Sequence, residues 1–191
     1  MIKRDFNMKY EDFLAKKVSS FQERGFTVTD DRLNPLLKPY QAFIVRTALK
    51  KGRYALFADC GMGKTFMQLE WAKHVAEHTG RPVLVVAPLS VTGQTVQEAA
   101  KFGIAAAVYD FHDGLNDGPS VWVINYDQIH NLPQTMDLGG VVLDESSILK
   151  NFTGKTKKQL EETFMNVPYK LACTATPSPN DHMEIGNHSQ W

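Results

Sequence analysis

The chain is built from short apolar runs that alternate with longer amphipathic segments, and this alternation limits the folds open to it. Six runs carry apolar residues at successive positions: YALFAD (54–59), VLVVAP (83–88), AAAVYD (105–110), VWVINYD (121–127), GVVLDE (140–145) and YKLACTA (169–175). Such runs are typical of parallel strands that are buried on both faces. Their alternation with helical segments predicts an α/β fold with a doubly wound, mainly parallel sheet flanked by helices. Ligands of such sheets bind beyond the carboxyl ends of the strands.

Four segments between the runs have the periodicity of amphipathic helices. Segment 39–51 begins with a proline, which suits a first helical turn, and its predicted buried face consists of Tyr40, Phe43, Ile44 and Ala48. In segment 64–80 the predicted buried face consists of Phe66, Leu69, Ala72, Val75 and Ala76. Residues 91–102 and 155–165 have a similar pattern, and the lysine-rich part of the second is expected to form a solvated face.

Size and composition are those of one ordinary globular domain. Of the 191 residues, 43% are hydrophobic and 22% are charged, and 21 basic residues balance 21 acidic ones. A nucleic-acid site would therefore have to be a local patch. No apolar run approaches the ~20 residues of a membrane helix, and two cysteines suggest a reducing, cytoplasmic setting. Residues 1–35 predict a helical N-terminal extension that packs on the sheet, ahead of one domain over 36–191.

A glycine-rich loop lies between the first predicted strand and the helical segment that follows it. The loop reads Cys60-Gly61-Met62-Gly63-Lys64-Thr65. Glycines let backbone N–H groups close round a phosphate, the lysine can reach the outer phosphates, and the threonine hydroxyl can bind Mg²⁺. The full phosphate-loop pattern would have glycine at position 58, where this chain has Ala58. The alternative is a glycine-rich turn with an incidental lysine, but the strand and helix on either side favour an ATP phosphate site.

The run GVVLDE ends in two adjacent carboxylates, Asp144 and Glu145. A phosphate loop elsewhere in the chain gives both acids a chemical task. Asp144 would hold Mg²⁺ directly or through water, and Glu145 would orient and polarise the attacking water. The alternative is a pair of solvent-exposed turn residues. With Lys64 and Thr65, the acids form the predicted catalytic and metal-binding set for ATP and Mg²⁺.

Six segments, in chain order, resemble the motifs of superfamily 2 helicases, most of all the Snf-type DNA translocases and their phage-encoded relatives. These segments are LLKPYQAFIVRTAL, ADCGMGKTFMQLEW, VLVVAPLSVTGQTVQEAAKF, VWVINYDQI, VVLDESSILKN and KLACTATPSPN. The resemblance covers roughly residues 36–181. It implies a P-loop ATPase with the RecA-like fold, here the first motor domain, in the cytoplasm of a bacterium or a phage-infected cell.

The resemblance also assigns binding residues. It implies that Gln41 reads the adenine and that residues 60–65 hold the phosphates of ATP. It further implies that Ser90, Thr92 and Tyr126 contact the phosphate backbone of a nucleic acid, with double-stranded DNA as the expected partner. For Ser90 and Thr92 the alternative is a cap on the helix that begins near position 91.

Three further residues are implied to couple the ATP site to movement on DNA. Thr174 and Thr176 belong to the segment that resembles the last of the six motifs. Ser147 stands where the family usually has His or Asp, so coupling is the property that this departure affects.

A superfamily 2 motor has two RecA-like domains, and this chain carries the motifs of only the first. Arginines of the second domain stabilise the transition state in the family, and an arginine finger is worth about 10³–10⁵ in rate. We therefore expect a second RecA-like domain, in cis or in trans, and weak hydrolysis by this domain alone. Two other functions remain open, a non-hydrolysing ATP-binding scaffold or sensor and an RNA helicase domain.

Overall fold

The computed structural model describes residues 23–112, 114–115, 118, 120–133, 136–146 and 160–176. Within these ranges six strands form one sheet in the order β1-β6-β5-β2-β4-β3. The strands are β1 (Arg53–Phe57), β2 (Val83–Ala87), β3 (Ala106–Val108), β4 (Val121–Asn125), β5 (Gly140–Leu143) and β6 (Tyr169–Thr174). Every neighbouring pair is parallel, which confirms the predicted sheet.

Strand order explains how distant parts of the sequence come together. Strands β6 and β5 lie between β1 and β2, so the loop that leaves β1 faces the ends of two strands that come much later in the chain. Because all strands are parallel, these loops share one edge of the sheet, which we call the carboxyl edge. The predicted runs at β1, β4 and β5 were two residues too long. The extra residues after β1 and β5 lie in loops of this edge, and those after β4 begin the 3₁₀ helix Tyr126–Asn131.

Both faces of the sheet are covered, as the apolar runs predicted. In β2, Val83, Val85 and Ala87 pack into one hydrophobic cluster, and Leu84 and Val86 pack into another on the opposite face. The first cluster also contains residues of α1 (Pro39–Lys51), α2 (Lys64–Thr79) and α3 (Thr92–Lys101). The second contains Leu160 and Phe164. Side chains that alternate between two buried faces are the signature of a doubly wound sheet.

The predicted helices are present where the structure describes them. Residues 160–164 are helical, and the preceding part of the predicted helix, 155–159, lies outside the described residues. The predicted face of α1 was wrong in part, because Phe43 is 62% exposed. The buried residues of α1 are Gln41, Val45, Ala48 and Leu49. Hydropathy misplaced this face because a polar side chain, Gln41, occupies one of its buried positions.

Helix α2 is the most deeply buried helix among those described. Its predicted face is buried, and so are Gln68, Glu70 and His74, so polar as well as apolar residues line its interior contacts. The helix passes close to β5 at Gly140. A Cβ atom at this position would lie 2.9 Å from the Val75 side chain, so glycine allows the close approach.

The N-terminal extension is described from residue 23 onward. Backbone N–H groups of Gly25 and Phe26 donate to carbonyls near the end of α1, and Val28 and Leu33 join the first hydrophobic cluster. The only helical turn in residues 23–35 is the 3₁₀ turn Asp30–Arg32. The predicted helix before residue 22 lies outside the described ranges. No helix in the described part of the chain is both long and apolar enough to span a membrane.

Candidate functional site

The glycine-rich loop connects the end of β1 to the first residue of α2. Gly61 and Gly63 have φ angles of 78° and 76°, a left-handed conformation that glycine adopts without strain. Gly63 is the N-cap of α2, which begins at Lys64 and runs for 16 residues. The unpaired N–H groups of the first turn and the helix dipole make such a terminus a suitable place for a phosphate group.

Helix α1 holds this loop through two side chains. The Gln41 amide N–H and the Tyr40 hydroxyl both donate to the Met62 carbonyl, at 3.0 and 3.1 Å. A Cβ atom at Gly63 would lie 2.3 Å from the Gln41 amide nitrogen, so a side chain there would displace this contact. Gln41 Oε1 accepts the N–H of Lys38 at 2.9 Å. Each end of the Gln41 amide retains capacity for one more hydrogen bond, so a role in adenine binding stays a prediction.

Lys64 bends back over the loop. Its ammonium group donates to the carbonyls of Ala58 and Asp59, at 2.8 and 3.2 Å. Asp59 also accepts the Cys60 N–H at 2.7 Å through its carboxylate. Cys60 is exposed, and its backbone forms part of the loop. The loop therefore places the lysine charge at the start of α2, beside the half-buried Thr65.

Asp144 and Glu145 directly follow the last residue of β5. The Asp144 N–H donates to the Val86 carbonyl at 2.8 Å, and the Tyr126 hydroxyl donates to the Asp144 carbonyl at 2.8 Å. Glu145 has a φ of 53°, a conformation that is uncommon for residues other than glycine. Burial raises the pKa of Asp144, and the neighbouring Glu145 carboxylate adds to this effect. Two close carboxylates in a partly buried place favour a cation.

The end of β6 joins the acids to the loop. The Thr174 hydroxyl donates to Glu145 Oε1 at 2.9 Å and accepts the Thr176 N–H at 3.0 Å. The Thr174 carbonyl accepts the Ala58 N–H at 3.2 Å. The ends of β1, β5 and β6 are thus connected by hydrogen bonds, and both predicted coupling threonines lie at this junction. Ser147, the third predicted coupling residue, lies outside the described residues.

The residues predicted to contact nucleic acid lie in different environments. Ser90 is exposed beyond the end of β2. Thr92 is buried, and its hydroxyl donates to the Leu89 carbonyl at 3.0 Å. The N-cap position of α3 is Val91, with no side-chain cap, so the alternative that Ser90 or Thr92 caps the helix was wrong. The Tyr126 hydroxyl is inside the domain, bonded to Asp144, and does not lie at the surface.

Two buried polar residues of α2 were absent from the sequence-based prediction. Gln68 is fully buried, and neither its amide nitrogen nor its amide oxygen has a hydrogen-bond partner in the described part of the chain. Glu70 is equally buried, but one of its carboxylate oxygens accepts the Asn34 N–H at 2.9 Å. A signal for Gln68 was available, since it lies four residues after Lys64 and so on the same side of the helix.

The donor set suits Mg²⁺ bound together with a nucleotide. Magnesium keeps several waters and takes one or two carboxylates plus phosphate oxygens. Asp144 and the Thr65 hydroxyl match this requirement, and the orphaned Gln68 amide adds a polar group next to Asp144. Among the described residues no three His, Cys, Asp or Glu side chains group as a metal cage. The residues present therefore fit a cation that shares its ligands with a phosphate.

Comparison with known proteins places the chain in a family. Residues 34–179 match the family described as type III restriction enzyme, res subunit (ResIII). The chain is 29% identical over 170 residues to putative protein p41 of Acyrthosiphon pisum secondary endosymbiont phage 1, covering 78% of this chain and 37% of that protein. It is 26% identical over 187 residues to human TATA-binding protein-associated factor 172, covering 80% of this chain and 10% of that protein. The chain thus spans well under two thirds of either relative.

Two solved structures share the fold. The Sulfolobus solfataricus SWI2/SNF2 ATPase core in complex with dsDNA superimposes with a TM-score of 0.73 at 23% identity, over 85% of this chain and 37% of that one. The UvsW helicase from bacteriophage T4 superimposes with a TM-score of 0.65 at 18% identity, over 93% of this chain and 64% of that one. Both confirm the RecA-like architecture. Because the family match runs from before the glycine-rich loop to past β6, the chain belongs to the ResIII family and is a helicase-type ATPase domain.

Proposed function

We propose that this chain is the first RecA-like domain of a Snf-type translocase, which binds ATP with Mg²⁺ and hydrolyses it when a second RecA-like domain completes the site. The observation that carries the proposal is the junction at the carboxyl edge. There the loop at residues 58–63, the acids Asp144 and Glu145, and Thr174 are connected by hydrogen bonds. The groups proposed to bind phosphate and metal therefore lie together at one edge of the sheet.

Each group has a task that follows from its position. Lys64 and the first N–H groups of α2 would bind the phosphates. Thr65 and Asp144 would hold Mg²⁺, which supplies charge neutralisation at the β- and γ-phosphates when it is bound. Glu145 would orient the attacking water through its carboxylate. The Thr174 hydroxyl donates to Glu145 Oε1 at 2.9 Å, which helps to fix the direction of that carboxylate.

The hydrogen bonds between Lys64 and the loop place its ammonium group where it could bind a phosphate. Its ammonium group has three donors, and two of them bind loop carbonyls. These contacts hold the charge beside the start of α2, where a phosphate would add strong charge-assisted hydrogen bonds. Gln41 and Tyr40 fix the opposite side of the loop, so the cradle is supported before a ligand enters.

Double-stranded DNA is the proposed polymer. The support is the likeness to an ATPase core whose structure was solved in complex with dsDNA, and the exposed position of Ser90 beyond β2. Leu89 beside it is 67% exposed. We propose that Ser90 contacts the DNA backbone directly. Thr92 and Tyr126 would support the DNA-binding surface from inside the domain, through their hydrogen bonds to the carbonyls of Leu89 and Asp144. The phage relative is consistent with action in the cytoplasm of a bacterium or a phage-infected cell.

The test compares ATP hydrolysis by the complete protein that carries this domain, alone and with saturating double-stranded DNA, single-stranded DNA or RNA. The proposal expects stimulation by double-stranded DNA above the other two. Stronger stimulation by RNA would favour an RNA helicase. No stimulation by any polymer would favour an ATP-binding scaffold or sensor.

A matched variant checks the catalytic assignment in the same assay. Glu145→Gln should keep ATP binding, because it preserves size and the Thr174 contact, and it should lower turnover about 10²–10⁴-fold. Unchanged turnover would remove Glu145 from the water-orienting role. The control is Glu98→Gln, a half-buried residue of α3 that takes no part in the proposed site, which should hydrolyse ATP as the unaltered protein does.

A further inference from the structure

Gln68 occupies a position that packing alone does not account for. It lies on α2 one turn after Lys64 and has no exposed surface. Neither atom of its amide group has a hydrogen-bond partner within the described ranges. Buried polar groups in folded proteins are almost always paired, so an amide in this condition points to a partner beyond the described residues, such as a bound ligand or water.

The group beside the Gln68 amide is the carboxylate of Asp144. The two side chains fall just short of hydrogen-bond geometry, and the amide still favours the ionised form of the acid against the effect of burial. Asp144 Oδ1 is already engaged, accepting the Glu145 N–H at 3.1 Å. The Gln68 amide is thus a second group acting on this carboxylate, and it comes from a different element, α2.

An amide is chemically suited to this position. Its NH₂ group can donate to a carboxylate, and its oxygen can accept a hydrogen bond from a water molecule bound to a cation. A glutamate could not donate and a lysine could not accept. Groups that orient a metal ligand from behind are as much part of a metal site as the ligands, because they fix the direction of the ligand's lone pairs.

We propose that Gln68 is a positioning residue for the divalent cation: its amide orients the Asp144 carboxylate and accepts a hydrogen bond from a cation-bound water. The inference rests on the proposed function, which places Mg²⁺ at Asp144. Gln68 touches neither the nucleotide nor the attacking water in this scheme. A role in packing alone would predict that an apolar residue of the same shape serves equally well.

The first test measures how nucleotide binding depends on Mg²⁺. A fluorescent methylanthraniloyl-ATP is titrated with MgCl₂ against the unaltered chain, Gln68→Met and a control, Thr95→Val, which removes a buried hydroxyl of α3. Gln68→Met should raise the half-saturating Mg²⁺ concentration about tenfold, the lower end of the range for groups behind a metal ligand. Binding in EDTA should not change, and the control should match the unaltered chain. An unchanged Mg²⁺ dependence in Gln68→Met would overturn the inference.

A second variant needs neither nucleotide nor turnover. Gln68→Glu places a further carboxylate next to Asp144, so the repulsion between them should be relieved by a cation. We expect MgCl₂ to raise the melting temperature of Gln68→Glu more than that of the unaltered chain, with NaCl of equal ionic strength as the control. Equal shifts in the two proteins would count against the placement of Gln68 at the cation.

The outcomes also separate this inference from the proposed function. If the unaltered chain fails to bind the ATP analogue at any Mg²⁺ concentration, the ATP site itself is wrong. If the unaltered chain binds the analogue with Mg²⁺ and both Gln68 variants behave like it, only the role of Gln68 is wrong.

Discussion

Gln68 and Glu70 lie two residues apart on the same helix, both are polar and both are fully buried, yet their surroundings differ. One oxygen of Glu70 accepts the Asn34 N–H at 2.9 Å and lies 3.0 Å from His74 Nε2. The amide of Gln68 has no such partner in the described part of the chain. One oxygen of Glu70 is thus bonded to groups that hold the fold together, whereas both polar atoms of the Gln68 amide, like the second Glu70 oxygen, lack a hydrogen-bond partner among the described residues.

The partners of Glu70 join three parts of the chain. We call Arg32, Asn34, Glu70, His74 and Glu77 the Glu70 network. Arg32 pairs with Glu77 at 3.2 Å, and the Asn34 side chain donates to the Phe102 carbonyl at 2.8 Å. Burial raises the pKa of Glu70, but the hydrogen bonds from His74 and Asn34 outweigh it, so the pKa lies below its ordinary value. The network fastens the N-terminal segment to α2 and to the end of α3.

The largest effect on stability should come from breaking this network. Glu70→Ala leaves the half-buried Asn34 N–H and the buried His74 without this acceptor, which should cost about 3 kcal/mol of unfolding free energy. Urea denaturation measures the loss, and Glu98→Ala, a half-buried residue of α3 outside the network, is the control. Gln68→Met should lose no stability in the same experiment, because an apolar chain of similar shape can replace an unpaired amide at little cost. Equal losses of stability in Glu70→Ala and Gln68→Met would show that the fold depends on Gln68 as much as on Glu70.

A buried charge far from the carboxyl edge should affect stability through pH. Lys170, near the start of β6, is buried, and burial lowers its pKa to about 8, with the nearby Arg53 charge adding to the effect. Between pH 8 and the unfolded value of about 10.4, the unfolded chain binds more protons than the folded chain, so unfolding free energy rises with pH by up to about 1.4 kcal/mol per unit.

Lys170→Met removes this dependence. The variant should exceed the unaltered chain in stability at pH 7–8, where the folded state holds a buried charge, and the two should converge as pH approaches 10.5. Urea denaturation at pH 7, 8, 9 and 10 would show it, with the exposed Lys101→Met as control. Parallel pH profiles for Lys170→Met and the unaltered chain would contradict the lowered pKa.

The smallest effect is expected at Tyr126, which supports Asp144 through a hydrogen bond. Tyr126→Phe removes the hydroxyl that donates to the Asp144 carbonyl at 2.8 Å, a change worth about 1 kcal/mol. It should also weaken Mg²⁺-dependent nucleotide binding a little, because Asp144 loses a support. Thr47→Val, which removes a hydroxyl bonded along α1, provides the control. A loss of stability with Mg²⁺ dependence unchanged would make Tyr126 a structural residue only.

The sequence predicted most of the fold, for a physical reason. Strands buried on both faces must be continuously apolar, so all six could be recognised in the sequence. The glycines before Lys64 likewise indicated the loop that precedes α2. The predicted face of α1 failed because Gln41 occupies a buried position for its bond to the Met62 carbonyl. The ends of β1 and β4 were overestimated because Ala58 and the buried Tyr126 continue the apolar runs past the last residue of each strand.

The spacing from Lys64 placed Gln68 on the same side of α2, but the neighbours of Gln68 and the Glu70 network could not be predicted from the sequence. Local sequence gives no sign that Glu70 will meet Asn34, which lies 36 residues earlier, or that Gln68 will lie beside an acid 76 residues later. Such contacts depend on the order of strands in the sheet, which places β5 next to α2. Motif spacing therefore identified Lys64, Asp144 and Glu145 individually, and only the topology brought a fourth polar group to them.

If the carboxyl edge binds ATP with Mg²⁺, a nucleotide titration should show the binding and its dependence on Lys64. Binding of methylanthraniloyl-ATP in MgCl₂ should be measured for the unaltered chain, for Lys64→Ala and for the exposed Lys101→Ala. We expect Lys64→Ala to abolish binding while Lys101→Ala retains it, and Lys64→Ala to remain folded in urea, apart from the roughly 1–2 kcal/mol lost with its two hydrogen bonds to the loop. Binding by Lys64→Ala at the affinity of the unaltered chain would show that ATP does not bind at the carboxyl edge as proposed.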